Sequence, residues 1–280
     1  MTAELTQLEE FTEPCQTCDQ HRWVVRARGD VAVARVCEDC FAECPACHGE
    51  KFRFETDERG YEFAVRCPVC STLDDRVAAF NAAGIPAKYH AIDCALENFQ
   101  RYEGPGTKGK IGNLVLVHKR IYQWVKGFVP GERGFLLHGG VGTGKTHLMA
   151  AALRYLTLEK GVECRFVEFT HLLSDIKQQF DQGRGEAAVL GPVISHEVLA
   201  IDELGKGRRN EWQVGIADEI ISKRYNRGLT TLFTTNYPVE TPDDGLDEDL
   251  RQRIGDRIFS RLHEMADFIH IDAPDFRTKK

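Results

Sequence analysis

The chain has no apolar run approaching the ~20 residues that cross a bilayer. Its opening stretch, Met1 to Glu13, is acidic where a secretory signal would be basic and then apolar. These absences predict a cytoplasmic protein with no membrane contact. An excess of positive charge is missing too: the formal net charge is −7, and residues 1 to 75 hold 8 Lys and Arg against 16 Asp and Glu, while the remaining 205 hold 28 against 27. Neutralising a polyanion needs clustered Lys and Arg, so the front segment is not a broad nucleic-acid surface. With 280 residues, 42% of them apolar, there is material for one large domain and one small one.

Cysteine, by contrast, is plentiful. Eight of the ten cysteines fall in four C-x-x-C pairs, Cys15/Cys18, Cys37/Cys40, Cys44/Cys47 and Cys67/Cys70. The first four recur as the second four, displaced by 29 residues in one pair and 30 in the other, which reads as an internal duplication. A two-residue gap turns both thiolates of a knuckle toward one tetrahedral centre, and a second knuckle closes a four-Cys zinc site. Sequential sharing gives Cys15, Cys18, Cys37 and Cys40 to one Zn²⁺ and Cys44, Cys47, Cys67 and Cys70 to another; an interleaved cross-brace would use the same ligands. Four thiolates leave no open coordination position, so both sites read as structural. Between the knuckles run alternating stretches, Trp23-Val24-Val25 and Val31 to Val36, then Phe52-Arg53-Phe54 and Tyr61 to Val65, with Gly29 and Gly60 near the turns. Each half resembles the zinc ribbon family, a hairpin clamped by metal, and buries too little apolar surface to fold alone. The thiolates add negative charge to an acidic front whose expected task is to grip a protein. Cys94 and Cys164 are expected as small buried apolar residues.

The rest of the chain carries a second chemistry. Gly139-Gly140-Val141-Gly142-Thr143-Gly144-Lys145-Thr146 fits the phosphate-binding pattern G-x-x-x-x-G-K-[ST], between a strand candidate, Phe135 to His138, and a helix candidate, Leu148 to Leu158. Its glycines let backbone N–H groups wrap a triphosphate at a helix N-terminus. Lys145 would reach the β- and γ-phosphates, Thr146 would complete a Mg²⁺ shell, and His147 follows as a further cofactor candidate. A second station is Val198 to Ile201, an apolar strand ending in Asp202, a candidate Mg²⁺ ligand, and Glu203, a candidate for polarising the attacking water. A third is Thr231 to Asn236, a strand ending in an amide placed to hydrogen-bond a γ-phosphate or water. Spacing at Ile254, Ile258 and Leu262 predicts one amphipathic helix over 251–262, with Arg257 and Arg261 four residues apart on it. Strand candidates at 135–138, 164–169, 198–201, 230–234 and 268–271 alternate with helical patterns, among them 71–83, 111–127 and 170–180. That rhythm implies a five-stranded parallel sheet covered by helices, an α/β fold.

Asp202-Glu203, in place of a lone Asp, favours an AAA+ P-loop ATPase core. Residues 84 to 277 resemble the DnaC/DnaI-type helicase loaders and the related IstB-like ATPases, through Gly139 to Thr146, Asp202-Glu203-Leu204-Gly205-Lys206-Gly207, Arg224-Tyr225-Asn226, Thr234-Thr235-Asn236-Tyr237-Pro238 and Gly255-Asp256-Arg257-Ile258. The resemblance implies ATP hydrolysis with Lys145, Glu203 and Asn236 at the reacting end, self-association through the ATPase domain, and an arginine crossing to the next subunit's nucleotide. The Ser-Arg-Leu context favours Arg261 for that role and the Asp-Arg-Ile context Arg257. It also implies that Arg277 reads the bound nucleotide, and that the segment from Gly84 to Phe99 lies near its base. A replicative DNA helicase, gripped by the zinc region, and single-stranded DNA are the expected partners. Lys206, Arg208, Arg209, Lys223, Arg224 and Arg227 offer charge for the DNA, and the helix over 170–180 a DNA-facing insertion. An IstB-like transposition helper that binds duplex DNA and recruits a transposase is the alternative, and a zinc-dependent adaptor with ATP as a switch is a third reading. Only three residues follow Arg277, so neither a separate helical lid domain nor a DNA-binding helix-turn-helix is expected, which argues against a replication initiator. The expected division is 1–75 zinc region, 76–110 linker and 111–280 ATPase.

Overall fold

The structure, a computed structural model, describes residues 15–19, 21–42, 44, 46–91, 94–97, 112–207, 210–239 and 248–277, with only the backbone at 41 and 42. Strands β1 (Trp23–Arg28) and β2 (Val31–Val36) form an antiparallel hairpin, followed by the short α1 (Glu38–Ala42). β3 (Phe52–Thr56) and β4 (Glu62–Arg66) form a second hairpin, followed by α2 (Pro68–Ala83). Gly84 ends α2 in the left-handed region at φ 69, and a single 3₁₀ turn covers Ala87–Tyr89. The duplication read from the cysteines is therefore a duplication of hairpin plus helix, the second helix being much the longer.

Beyond these come α3 (Leu114–Gly127), β5 (Gly134–His138), α4 (Lys145–Leu158), β6 (Cys164–Glu168), α5 (Phe169–Asp181), α6 (Glu186–Ser195), β7 (Val198–Asp202), α7 (Glu211–Asn226), β8 (Thr230–Thr235), α8 (Leu250–Ile254), α9 (Asp256–Met265) and β9 (Ala266–His270). The five strands β6-β7-β8-β5-β9, in that order, make one parallel sheet. Successive side chains on a strand point to opposite faces. Phe135, Leu137, Val198, Ala200 and Leu232 accordingly pack on one side, against α2, α3 and α4. Leu136, Leu199, Ile201 and Phe233 pack on the other, against α5 to α9. Both faces are covered, which is why the strands read as continuous apolar runs.

Two expectations are corrected. The single helix over 251–262 is two, because Gly255 at φ 88 and ψ 156 breaks it. The apolar spacing runs through the break because both pieces rest on the same core, so periodicity alone could not report it. The boundary expected at residue 75 falls inside α2, whose Phe80 and Ala83 are fully buried in the large core beside Trp23, Ala32 and Ala34 of the first hairpin. The Asn81 side chain accepts from the Ala34 N–H at 2.8 Å and donates to its carbonyl at 3.1 Å, so the hairpin is fixed to α2 by polar bonds as well. No helix among the described residues is long and apolar enough to cross a membrane.

Candidate nucleotide site and cysteine centres

The loop between β5 and α4 wraps a cavity of about 290 Å³ lined by Thr143 to His147, Glu203, Asn236 and Arg277. Two glycines are required by geometry. Gly144 caps α4 at φ 96, and Gly142 sits at φ 75, where a Cβ would come within 1.7 Å of the Asp275 carboxylate. The first turn of α4 begins at Lys145, so its unpaired N–H groups face the cavity. Lys145 is buried and folds back on the loop, donating to the carbonyls of Gly139 at 2.8 Å and Gly140 at 2.5 Å. Burial lowers its pKa to about 8 against the opposing pull of Asp202.

Asp202 ends β7 and is 6% exposed. One of its oxygens accepts from the Thr146 hydroxyl at 2.9 Å and from the Thr234 hydroxyl at 2.5 Å. Burial raises its pKa, against the lowering effect of its bonds from the two threonine hydroxyls. A carboxylate and a hydroxyl converging from β7 and α4 are the oxygen donors a Mg²⁺ ion takes when substrate phosphates fill the rest of its shell. Thr234, which the motif reading passed over as a site residue, also receives the Glu203 N–H at 2.9 Å and so holds both carboxylates in register. Glu203 itself has φ 55, and its carboxylate pairs with Lys206, which lies 3.4 Å from Glu168 as well. Asn236, one step past β8, lines the same cavity.

Lys88 and Tyr89, in the segment from Gly84 to Phe99 that the resemblance set near the nucleotide base, line the cavity too. Tyr89 meets the His147 ring edge to face at 6.0 Å. The loop's outer residue, Val141, is exposed.

The two candidate crossing arginines do not enter their own cavity. Arg261 is held by Asp218 at 2.7 Å and Ser222 at 2.6 Å, with its side chain 18% exposed. Arg257 is 72% exposed and reaches the same Asp218 only at 3.7 Å. Among the residues offered for DNA, Arg224 is corrected: it is fully buried and cannot meet a phosphate. Lys206, Lys223 and Arg227 are exposed, and Arg208 and Arg209 lie outside the described residues.

The front cysteines form two groups, Cys15, Cys18, Cys37 and Cys40, then Cys44, Cys47, Cys67 and Cys70, each with its sulfurs within 4.8 Å of one another. Thiolates at about 2.3 Å from a tetrahedral Zn²⁺ sit about 3.8 Å apart. The pairs Cys15/Cys37 and Cys44/Cys67 are 3.8 Å apart, Cys18/Cys40 3.4 Å and Cys47/Cys70 3.5 Å. Sequential sharing is therefore what the fold presents, and the donor set fits structural zinc. Cys94 and Cys164 are buried apart from both groups. The second hairpin exposes Phe52, Phe54, Tyr61 and Phe63.

A family model described as IstB-like ATP binding protein matches residues 123–280, leaving the cysteine front outside it. The replicative helicase loader DnaC of Escherichia coli (strain K12) is 26% identical over 184 residues, 65% of this chain and 67% of DnaC. The uncharacterized protein YqaM of Bacillus subtilis (strain 168) is 29% identical over 175 residues, 59% of this chain and 52% of YqaM, so the chain spans about half of that relative. Among solved structures, a crystal structure of the DnaC helicase loader superposes with a TM-score of 0.53 and 28% identity, over 65% of this chain and 98% of that one.

Proposed function

We propose that this chain, which belongs to the IstB-like ATP-binding family, is a cytoplasmic ATP-hydrolysing helicase loader that binds a replicative DNA helicase through its cysteine front and places it on single-stranded DNA. The observation that carries the hydrolytic part is the convergence of Thr146, Thr234 and Asp202 at the first turn of α4, with Glu203 one residue beyond. Lys145 and the N–H groups of α4 would bind the β- and γ-phosphates. Thr146 and Asp202 would hold Mg²⁺, which when bound spreads the charge that develops on those phosphates. Glu203 would take and orient the attacking water, and Asn236 would hydrogen-bond the γ-phosphate. The exposed aromatics Phe52, Phe54, Tyr61 and Phe63 support a protein-gripping role for the front, since such residues anchor interfaces.

Glu203→Gln tests the chemistry: it should lower ATP turnover by about 100-fold or more while leaving nucleotide affinity near that of the parent. Unchanged turnover would favour a chain that uses ATP only as a switch. Co-purification with a hexameric helicase and preference for single strands in an anisotropy titration test the partners. The family itself favours one competing reading, a transposition helper. Tighter binding to duplex than to single strands, with capture of a transposase, would support it.

A further inference from the structure

The first cysteine module is hydrogen-bonded to the segment that lines the candidate nucleotide cavity. The N–H of Ala32, near the start of β2, donates to the Ile85 carbonyl at 2.8 Å, and the N–H of Ala87 donates back to the Asp30 carbonyl at 2.9 Å, with Val31 and Pro86 bridged between them. These bonds fix the hairpin of Cys15, Cys18, Cys37 and Cys40 to the backbone immediately before Lys88 and Tyr89. On the far side of that pair, Arg154 of α4 donates to the carbonyls of His90 at 3.2 Å and Ala91 at 3.3 Å. The turn bearing Lys88 and Tyr89 is thus held at one end by the hairpin and at the other by the phosphate-loop helix. Lys88 and Tyr89 line the same cavity as Thr146; Tyr89 meets the His147 ring edge to face at 6.0 Å, and Lys88 lies 4.9 Å over the Tyr89 ring. The hairpin tip, Asp30 and Val31, shares a second cavity with Thr146 and Asp202.

We infer that Lys88 and Tyr89 contact the metal-phosphate end of a bound Mg²⁺–nucleoside triphosphate, and that the first cysteine module sets their position, so that metal in that module and nucleotide in the loop stabilise each other. The inference rests on the nucleotide-site reading above. A ligand that fills the cavity beside Thr146 meets Tyr89 as well, and Tyr89 is two residues from a backbone bonded to the hairpin. Coupling between two binding sites is reciprocal, so either ligand reports on the other. The second cysteine group forms its own small cluster, packed with Ala46 and Val69, and serves as an internal control.

The full-length, zinc-loaded protein is pulsed with a thiol-alkylating reagent, with and without a saturating non-hydrolysable ATP analogue and Mg²⁺, and each cysteine is read by mass spectrometry. Nucleotide should slow alkylation of Cys15, Cys18, Cys37 and Cys40 by about fivefold or more, and slow the second group less. Tyr89→Ala should lose that difference under nucleotide saturation. Lys88 is exposed, so Lys88→Ala makes the same test without risk to the fold. Equal rates with bound nucleotide, or equal slowing of both groups as global stabilisation would give, overturn the coupling alone. Failure of a fluorescent ATP analogue to bind overturns the coupling and the nucleotide site together.

Discussion

Arg224 is a charged side chain with no exposed surface, and it donates five hydrogen bonds. They go to the Thr231 hydroxyl at 2.9 Å and to the carbonyls of Ile194, His196, Glu197 and Thr230 at 2.8, 2.7, 3.3 and 2.6 Å. One guanidinium therefore ties the end of α6 and the entry to β7 to the start of β8, and burial lowers its pKa to about 10. Arg224→Ala leaves those acceptors buried without a donor and should cost about 3 kcal/mol or more, read from urea unfolding. Arg224→Lys should recover only part of that, because a lysine lacks the planar fork. A loss below about 1 kcal/mol in the alanine variant would mean the bonds are not holding the loop. The role was partly legible. Ala217, Ile220 and Ile221 are buried on α7, and Arg224 continues their stripe at helical spacing. What no sequence pattern offers is the set of loop carbonyls waiting at the end of that stripe. The same holds for Thr234, whose place in a strand of threonines was plain and whose bond to Asp202 was not.

At the scale of elements, the phosphate loop and the strand before Asp202 and Glu203 were readable because buried parallel strands are short, apolar and punctuated by glycine or acid. Their order in the sheet was not, since crossover connections leave no trace in spacing. The order matters for β5, which has β9 as its neighbour and brings His138 against His270 with ring centroids 5.0 Å apart. Burial, with His270 and Lys145 nearby, lowers the His138 pKa from 6.5 to about 4. The folded protein thus keeps this imidazole neutral where the unfolded chain protonates it. Stability from this residue is fully present above pH 6.5 and is lost as the pH falls toward 4. After discounting for partial exposure, the loss should be on the order of 1 to 2 kcal/mol. Urea midpoints between pH 7 and pH 4.5 should fall for the parent and fall less for His138→Asn. Parallel declines in the two proteins would assign the acid sensitivity elsewhere.

For the molecule as a whole, the cysteine spacing announced two metal modules and the β-pattern announced their hairpins, but neither could say that the first lies against the ATPase core. Trp23, Ala32 and Ala34 are buried in the large core. Alternation marks such a face without naming what covers it. The converse question is what covers the ATPase core on its outer side, where α9 presents Arg257 with its side chain 72% exposed while Arg261 is held by Asp218 and Ser222. Under the proposed self-association, Arg257 is the arginine available to complete a neighbour's site. Arg257→Ala then damages hydrolysis only in the adjacent subunit, whereas Glu203→Gln damages it in its own. Each variant alone should turn over ATP at roughly a hundredth of the parent rate or less. Mixed in equal amounts, they should recover well above the mean of the two, because random head-to-tail pairing leaves about a quarter of the sites with an intact Glu203 facing an intact Arg257. Activity equal to the mean of the separate preparations would show that each chain hydrolyses ATP alone. Recovery by Arg261→Ala in place of Arg257→Ala would move the shared role to the other arginine.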